Sequence, residues 1–170
     1  MALGPPRPVP AEGAKQIEGM TAVRKALNNY ASFTDTAATV GRDKAAYDTA
    51  RRIARLVTEA GHPAGGVVID TWHIARAGTP PSDLATVPLE RIIGVELDDA
   101  DAQVVGTLFE DTVHRRRYCG EGSFELTAMV SALRTAGWTG PWGVEILSDE
   151  HRSLPVEEAL VRAAASARAV

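Results

Sequence analysis

Two kinds of apolar spacing alternate along the chain. In the stretch 42–60, Ala46, Ala50, Ile53, Ala54, Val57 and Ala60 recur near every 3.6 residues, while Arg51, Arg52, Arg55 and Glu59 fall mostly off that face. This spacing predicts an amphipathic helix. Gly61 is placed to end it and Pro63 to keep it from resuming. Gly66-Val-Val-Ile-Asp70 then runs β-branched without alternation, as expected of a strand buried on both faces. The same unit recurs. Leu89 and Glu90 lead into Ile92-Ile-Gly-Val-Glu-Leu-Asp98, a second strand of this kind. A long polar loop is expected over 99–122, then a helix over 124–136 with Leu126, Met129, Val130 and Leu133 in register and Gly137 ending it. Pro141-Trp-Gly-Val-Glu-Ile-Leu147 reads as a third strand, and a last helix is expected over 155–167 with Ser153 as N-cap and Glu157 and Glu158 favouring its start.

Upstream the pattern is weaker. Residues 1–13 are dense in Pro and Gly and are expected to be disordered. A helix is expected over 15–31, with Ile17, Met20, Val23, Ala26 and Leu27 on one side, and 32–41 reads ambiguously. Strands and helices that alternate, with short apolar strands, imply an α/β fold with parallel strands in a single domain over 14–170. Such a repeat builds either an open doubly wound sheet or a (β/α) barrel. No Gly-x-Gly-x-x-Gly follows a strand and no Gly-Lys-Ser/Thr motif is present, which removes the main support for a nucleotide-binding open sheet.

Composition narrows the function classes. The chain is 45% apolar and 24% charged with a formal charge of −4, and its pI is near 5.6. That balance argues against a nucleic-acid or membrane-surface partner, which clustered Lys and Arg would serve, and Arg115-Arg116-Arg117 is too short a run to reverse it. No apolar stretch approaches the ~20 residues of a membrane span, and the start lacks the apolar length of a secretory signal. The one cysteine, Cys119, excludes an internal disulfide and suits a reducing compartment, so a cytoplasmic location is expected.

Each of the three strands closes in acid: Asp70, Glu96 with Asp98, and Glu145. Glu96 and Glu145 are flanked by apolar residues, where a buried carboxylate needs a partner. A divalent cation such as Mg²⁺ or Mn²⁺ is one such partner, and arginine is the other. Acids repeated at strand C-termini favour a site there, as in barrels. His73 follows Asp70 by three residues; His62, His114 and His151 sit in turn or charged sequence and read as solvated. The Arg run beside Cys119 could lower its thiol pKa, yet no His–Cys–Asn/Asp pattern supports a nucleophile.

Four stretches taken together resemble the xylose-isomerase-like barrel superfamily of sugar-phosphate isomerases and epimerases. They are Gly66-Val-Val-Ile-Asp-Thr-Trp-His73, Val95-Glu-Leu-Asp-Asp99, Arg116-Arg-Tyr-Cys-Gly-Glu-Gly122 and Gly143-Val-Glu-Ile-Leu-Ser-Asp-Glu150, and the resemblance covers about residues 50–170. It implies a partial (β/α) TIM-type barrel, the last three strand–helix units preceded by N-terminal helices. A whole barrel takes ~250 residues, so the first metal Glu and about five strands of the family pattern find no match, and a homo-oligomer is expected to cover the open sheet. By the same resemblance Asp70, Glu96 and Glu145 would bind one divalent metal ion, with Glu96 where the family usually has His or Gln. Glu145 would also be the catalytic acid/base, and His73 and Arg116 would contact substrate. The implied activity is metal-assisted proton transfer next to a carbonyl of a sugar, sugar phosphate or hydroxy-ketone. A 3-dehydroshikimate-type dehydratase and a non-catalytic barrel fragment acting as an association module are the alternatives.

Overall fold

The computed structural model describes residues 49–62 and 65–170. The proline-rich start, the helix expected over 15–31 and the first part of the 42–60 helix lie outside these residues. The remainder of that helix, α1 (Thr49–Ala60), ends as its sequence predicts. Gly61 takes φ +62°, a left-handed conformation open to glycine, and its amide donates to the Thr58 carbonyl at 3.1 Å.

Strands β1 (Val67–Asp70), β2 (Ile92–Leu97) and β3 (Trp142–Val144) form one sheet in that order, and both pairs are parallel. Between β1 and β2 lie α2 (Thr71–Arg76), α3 (Pro81–Leu84) and a 3-10 turn at Leu89–Arg91. After β2 come α4 (Leu108–His114) and α5 (Leu126–Ala136), and after β3 come α6 (Asp149–Ser153) and α7 (Val156–Arg168). The apolar stripe read from sequence is the buried face of α5: Leu126, Met129, Val130 and Leu133 join Ile69, Leu84, Val87, Ile92, Val95 and Leu97 in one core. Gly137 closes α5 with φ +101°.

The pairing register explains the position of the acids. Asp70 stands opposite Glu96, and Glu96 opposite Gly143, so successive strands present their carboxyl ends at one edge. The two faces of the sheet differ in burial. Ile69, Val95 and Leu97 are buried, whereas Val68, which side-chain alternation puts on the face opposite Ile69, is 44% exposed. The expectation of strands buried on both faces therefore fails there.

Four boundaries also differ from the sequence reading, each for a local reason. Helix α5 starts at Leu126 because the Phe124 amide is held out of it, donating to Asp99 Oδ1 at 3.0 Å. Regular β3 pairing ends at Val144; the Glu145 amide still reaches the Leu97 carbonyl at 3.1 Å, but the Leu147 carbonyl turns to accept from the Arg116 amide at 3.1 Å. The polar 99–122 segment contains α4, started by a reciprocal capping box between Thr107 and Glu110. Ser153 does not cap α7: it ends α6, its hydroxyl donates to the Glu150 carbonyl at 2.7 Å, and Pro155 precedes α7 instead. No helix among the described residues is long and apolar enough to cross a membrane.

Candidate active site

Asp70 ends β1 and begins α2 as its N-cap. Its Oδ1 accepts the amides of Trp72 at 2.9 Å and His73 at 3.3 Å, the usual service of an Asp at that position. One carboxylate oxygen is thus fixed by the helix start, and Oδ2 is left for the strand-end edge. There the structure brings Asp70, Glu96 and Glu145 together, with one ligand oxygen from each lying within 4.8 Å of the others. Asp70 is buried, and Glu96 and Glu145 are half-buried.

Behind this cluster lies a fourth carboxylate. Asp98 is completely buried; its Oδ1 accepts the Thr71 hydroxyl at 2.8 Å, and its Oδ2 pairs closely with Arg116. Arg116 is itself only 2% exposed. Its Nη1 lies 3.0 Å from Asp70 Oδ2 and 3.0 Å from Glu145 Oε2. Its Nε donates to the Thr112 carbonyl at 3.1 Å, and its Nη2 to the Thr112 hydroxyl at 2.8 Å. The resemblance offers Arg116 as a donor to substrate. In the structure it turns inward to the acids, because those carboxylates need a counter-charge and Thr112 fixes the fork in that direction.

His73 differs in every respect. Its side chain is 63% exposed, with Nε2 3.8 Å from Asp70 Oδ2, and its ring stands edge-on to buried Trp72 at 4.9 Å between centroids. It sits at the open rim of the cluster. Trp72 is pinned by its indole N–H donating to Asp111 Oδ2 at 2.9 Å, and Arg76 Nε donates to the same oxygen at 2.9 Å.

One guanidinium against four carboxylates leaves the site short of positive charge. Burial, then Glu145 and Asp70, raise the Glu96 carboxyl above its usual range, with Arg116 acting the other way. Burial pushes Asp98 up to about 8, helped by Asp70 and opposed by Arg116. An all-oxygen donor set with an unmet negative charge fits a hard divalent cation.

Several contributors escape the sequence reading. Asp98 stands out there only as one more strand-end acid, while Asp99, buried beside it, accepts the amides of Ala100 at 2.8 Å, Gly120 at 3.1 Å and Phe124 at 3.0 Å. A Cβ on Gly122 would run into Asp99 Oδ1 and the Ala100 carbonyl, so the loop closes tightly on that carboxylate. Thr112 and Asp111 belong to α4, and the Thr107-x-x-Glu110 capping signal could have revealed the helix that carries them. Three expectations are corrected. Cys119 is buried, and burial pushes its thiol up to about 11 instead of the Arg run lowering it. His151 is half-buried, its Nδ1 2.7 Å from the Tyr118 hydroxyl. His114 is exposed but paired, 3.0 Å from Asp149 Oδ1.

A family model described as the xylose isomerase-like TIM barrel matches residues 17–169. Similar curated proteins include a 3-dehydroshikimate dehydratase of Pseudomonas putida, 29% identical over 111 residues, which span 65% of this chain and 17% of that protein. An inosose isomerase of Halalkalibacterium halodurans is 28% identical over 121 residues, 71% of this chain and 42% of the relative. Among solved structures, the IolI protein with a bound zinc atom superposes with a TM-score of 0.62 at 26% identity, over 69% of this chain and 41% of that one. The chain spans less than half the length of each of these proteins.

Proposed function

Starting from the xylose isomerase-like TIM barrel family, to which the chain belongs, we propose that it carries a metal-assisted proton-transfer site acting on a hydroxy-ketone of the sugar or cyclic polyol type. The observation that carries this reading is the convergence of Asp70, Glu96 and Glu145 at adjacent parallel strand ends. These three side chains would hold the divalent ion; manganese and magnesium suit the oxygen donors, and the zinc atom bound by the similar IolI protein supports a divalent metal in this fold. When bound, the ion would polarise the oxygens of the substrate carbonyl and its neighbouring hydroxyl.

The chain's own groups then divide the work. Glu145, with its side chain 39% exposed, would hold the ion through one carboxylate oxygen and present the other to a substrate C–H. Proton abstraction beside a carbonyl needs such a base within hydrogen-bond reach. His73, exposed at the rim, would bind a substrate hydroxyl. Asp70 fixes both sides at once, because the oxygen that caps α2 also orients the helix bearing His73.

Isomerisation returns the proton to a neighbouring atom, whereas dehydration expels a β-hydroxyl after the same first step. The similarity to 3-dehydroshikimate dehydratases of two Pseudomonas species keeps the second outcome beside the first. The test is deuterium exchange from heavy water into a panel of ketoses, ketose phosphates, inosose and 3-dehydroshikimate, with and without Mn²⁺, alongside loss of water from the last. Metal-dependent exchange that Glu145→Gln abolishes is expected. Exchange that persists in Glu145→Gln, or a wild-type chain that binds no Mn²⁺, would sink the reading.

A further inference from the structure

We infer that Arg116 is an internal counter-ion that contends with the metal for Asp70 and Glu145, so that the guanidinium and the divalent ion are alternative partners of the same two carboxylates. This rests on the metal reading above and goes beyond it by giving Arg116 a role that is neither ligand nor substrate contact.

Three features point to it. First, Arg116 Nη1 is over-committed. It carries two N–H groups but faces Asp70 Oδ2, Glu145 Oε2 and Asp98 Oδ2 together. Asp98 is fully enclosed and has no access to solvent, so it is the partner whose loss costs most. Glu145 is 39% exposed, and Asp70, though buried, keeps its helix-cap bonds through Oδ1 when Oδ2 changes partner, so both can exchange partners at lower cost. Second, the guanidinium cannot leave its charge behind, because arginine stays protonated in proteins. Its Nε and Nη2 are tied to Thr112 on α4, so a permanent positive charge is anchored beside the cluster. Third, Glu96 has the opposite arrangement: it belongs to the same cluster, but no hydrogen bond to Arg116 ties it down. A metal ion approaching from the Glu96 side would meet one free carboxylate and two that must be shared with Arg116. A fixed cation within a few ångströms of a divalent ion opposes its binding strongly at any protein-like dielectric.

Arg116 is thus a positioning residue with two effects of opposite sign. It holds the acid set together when no metal is bound, and it weakens the metal once bound. Asp98 governs the balance by drawing Nη1 inward, away from the two ligands.

The experiment is a titration of the full chain with Mn²⁺ alone, followed by electron paramagnetic resonance of the free ion, for wild type, Arg116→Gln and Asp98→Asn, with thermal unfolding of each measured with and without Mn²⁺. Arg116→Gln is expected to bind Mn²⁺ at least about tenfold more tightly, since the opposing charge is gone. It should also melt lower than wild type in chelator and gain more from Mn²⁺. Asp98→Asn is expected to bind about threefold or more weakly, because Nη1 then turns wholly to Asp70 and Glu145. Opposite signs are the signature; a general loss of structure would weaken both. Weaker binding by Arg116→Gln overturns the inference, as does an Arg116→Gln chain that fails to fold even in Mn²⁺, since the two cations would then not be interchangeable. A wild-type chain that binds no Mn²⁺ overturns the metal reading itself, and this outcome is distinct because the variants need not be compared.

Discussion

Replacing Asp99 by alanine should unfold the loop that delivers Arg116. The Asp99 carboxylate is 1% exposed and accepts three backbone amides, from Ala100, Gly120 and Phe124. Gly120 is exposed, so water can replace its lost partner, but Ala100 is fully buried and Phe124 half-buried. A hydrogen bond to a charged group contributes about 1.5–3 kcal/mol, and a buried donor left alone costs a similar amount. Two such amides put the loss at about 3–5 kcal/mol, a large share of the ~5–15 kcal/mol that holds a domain folded. Asp99→Asn keeps one acceptor oxygen for Ala100 and Phe124 and should cost only about 1–2 kcal/mol. Urea unfolding followed by far-ultraviolet circular dichroism reads this directly: with a slope of about 2 kcal/mol per molar, the alanine variant should shift the midpoint down by roughly 2 M. The effect should reach the site as well, since Asp99 pairs with Arg117 in an antiparallel bridge immediately after Arg116. A loss below about 1 kcal/mol for Asp99→Ala would refute the reasoning, because it would mean that these amides are satisfied some other way.

Three further outcomes are expected. Asp98 in the folded chain is pushed up to about 8, by burial first and then Asp70, against the pull of Arg116, so it binds its proton more tightly folded than unfolded. Its contribution to stability is therefore full below the ordinary carboxylate range and lost as pH rises through about 8. In chelator the urea midpoint should fall between about pH 5 and pH 8, Asp98→Asn should flatten that fall, and a midpoint that rises would contradict the assignment. Cys119, buried and pushed up to about 11, should react with an aromatic disulfide reagent at pH 8 only as fast as the chain opens, and rapid labelling of the native chain would count against its burial. His73→Ala should raise the KM for hydroxy-ketone exchange while leaving Mn²⁺ affinity within about twofold, because the imidazole is exposed and too far from Asp70 to be a hydrogen-bond partner; a parallel loss of metal affinity would move His73 into the metal shell.

What the sequence by itself determined was the periodic part of the protein. The 3.6-residue spacing of Leu126, Met129, Val130 and Leu133 marked the buried face of α5, and Gly61 and Gly137 marked helix ends that the structure closes with positive φ. The β-branched runs ending in Asp70, Glu96 and Glu145 located three parallel strands and their acids, because apolar patterning and turn chemistry are local properties that a strand or helix must satisfy wherever it sits. Only the tertiary structure decided how those acids are balanced. Arg116 is separated from Asp70 by 46 residues and from Asp98 by 18, and no local pattern says whether its guanidinium faces a substrate or a carboxylate. The same holds for Cys119, whose neighbouring arginines point elsewhere while burial sets its thiol. Charge interactions act through space and depend steeply on burial. The partners of a titrating side chain are therefore settled by which distant segments the fold brings against it, and not by its neighbours along the chain.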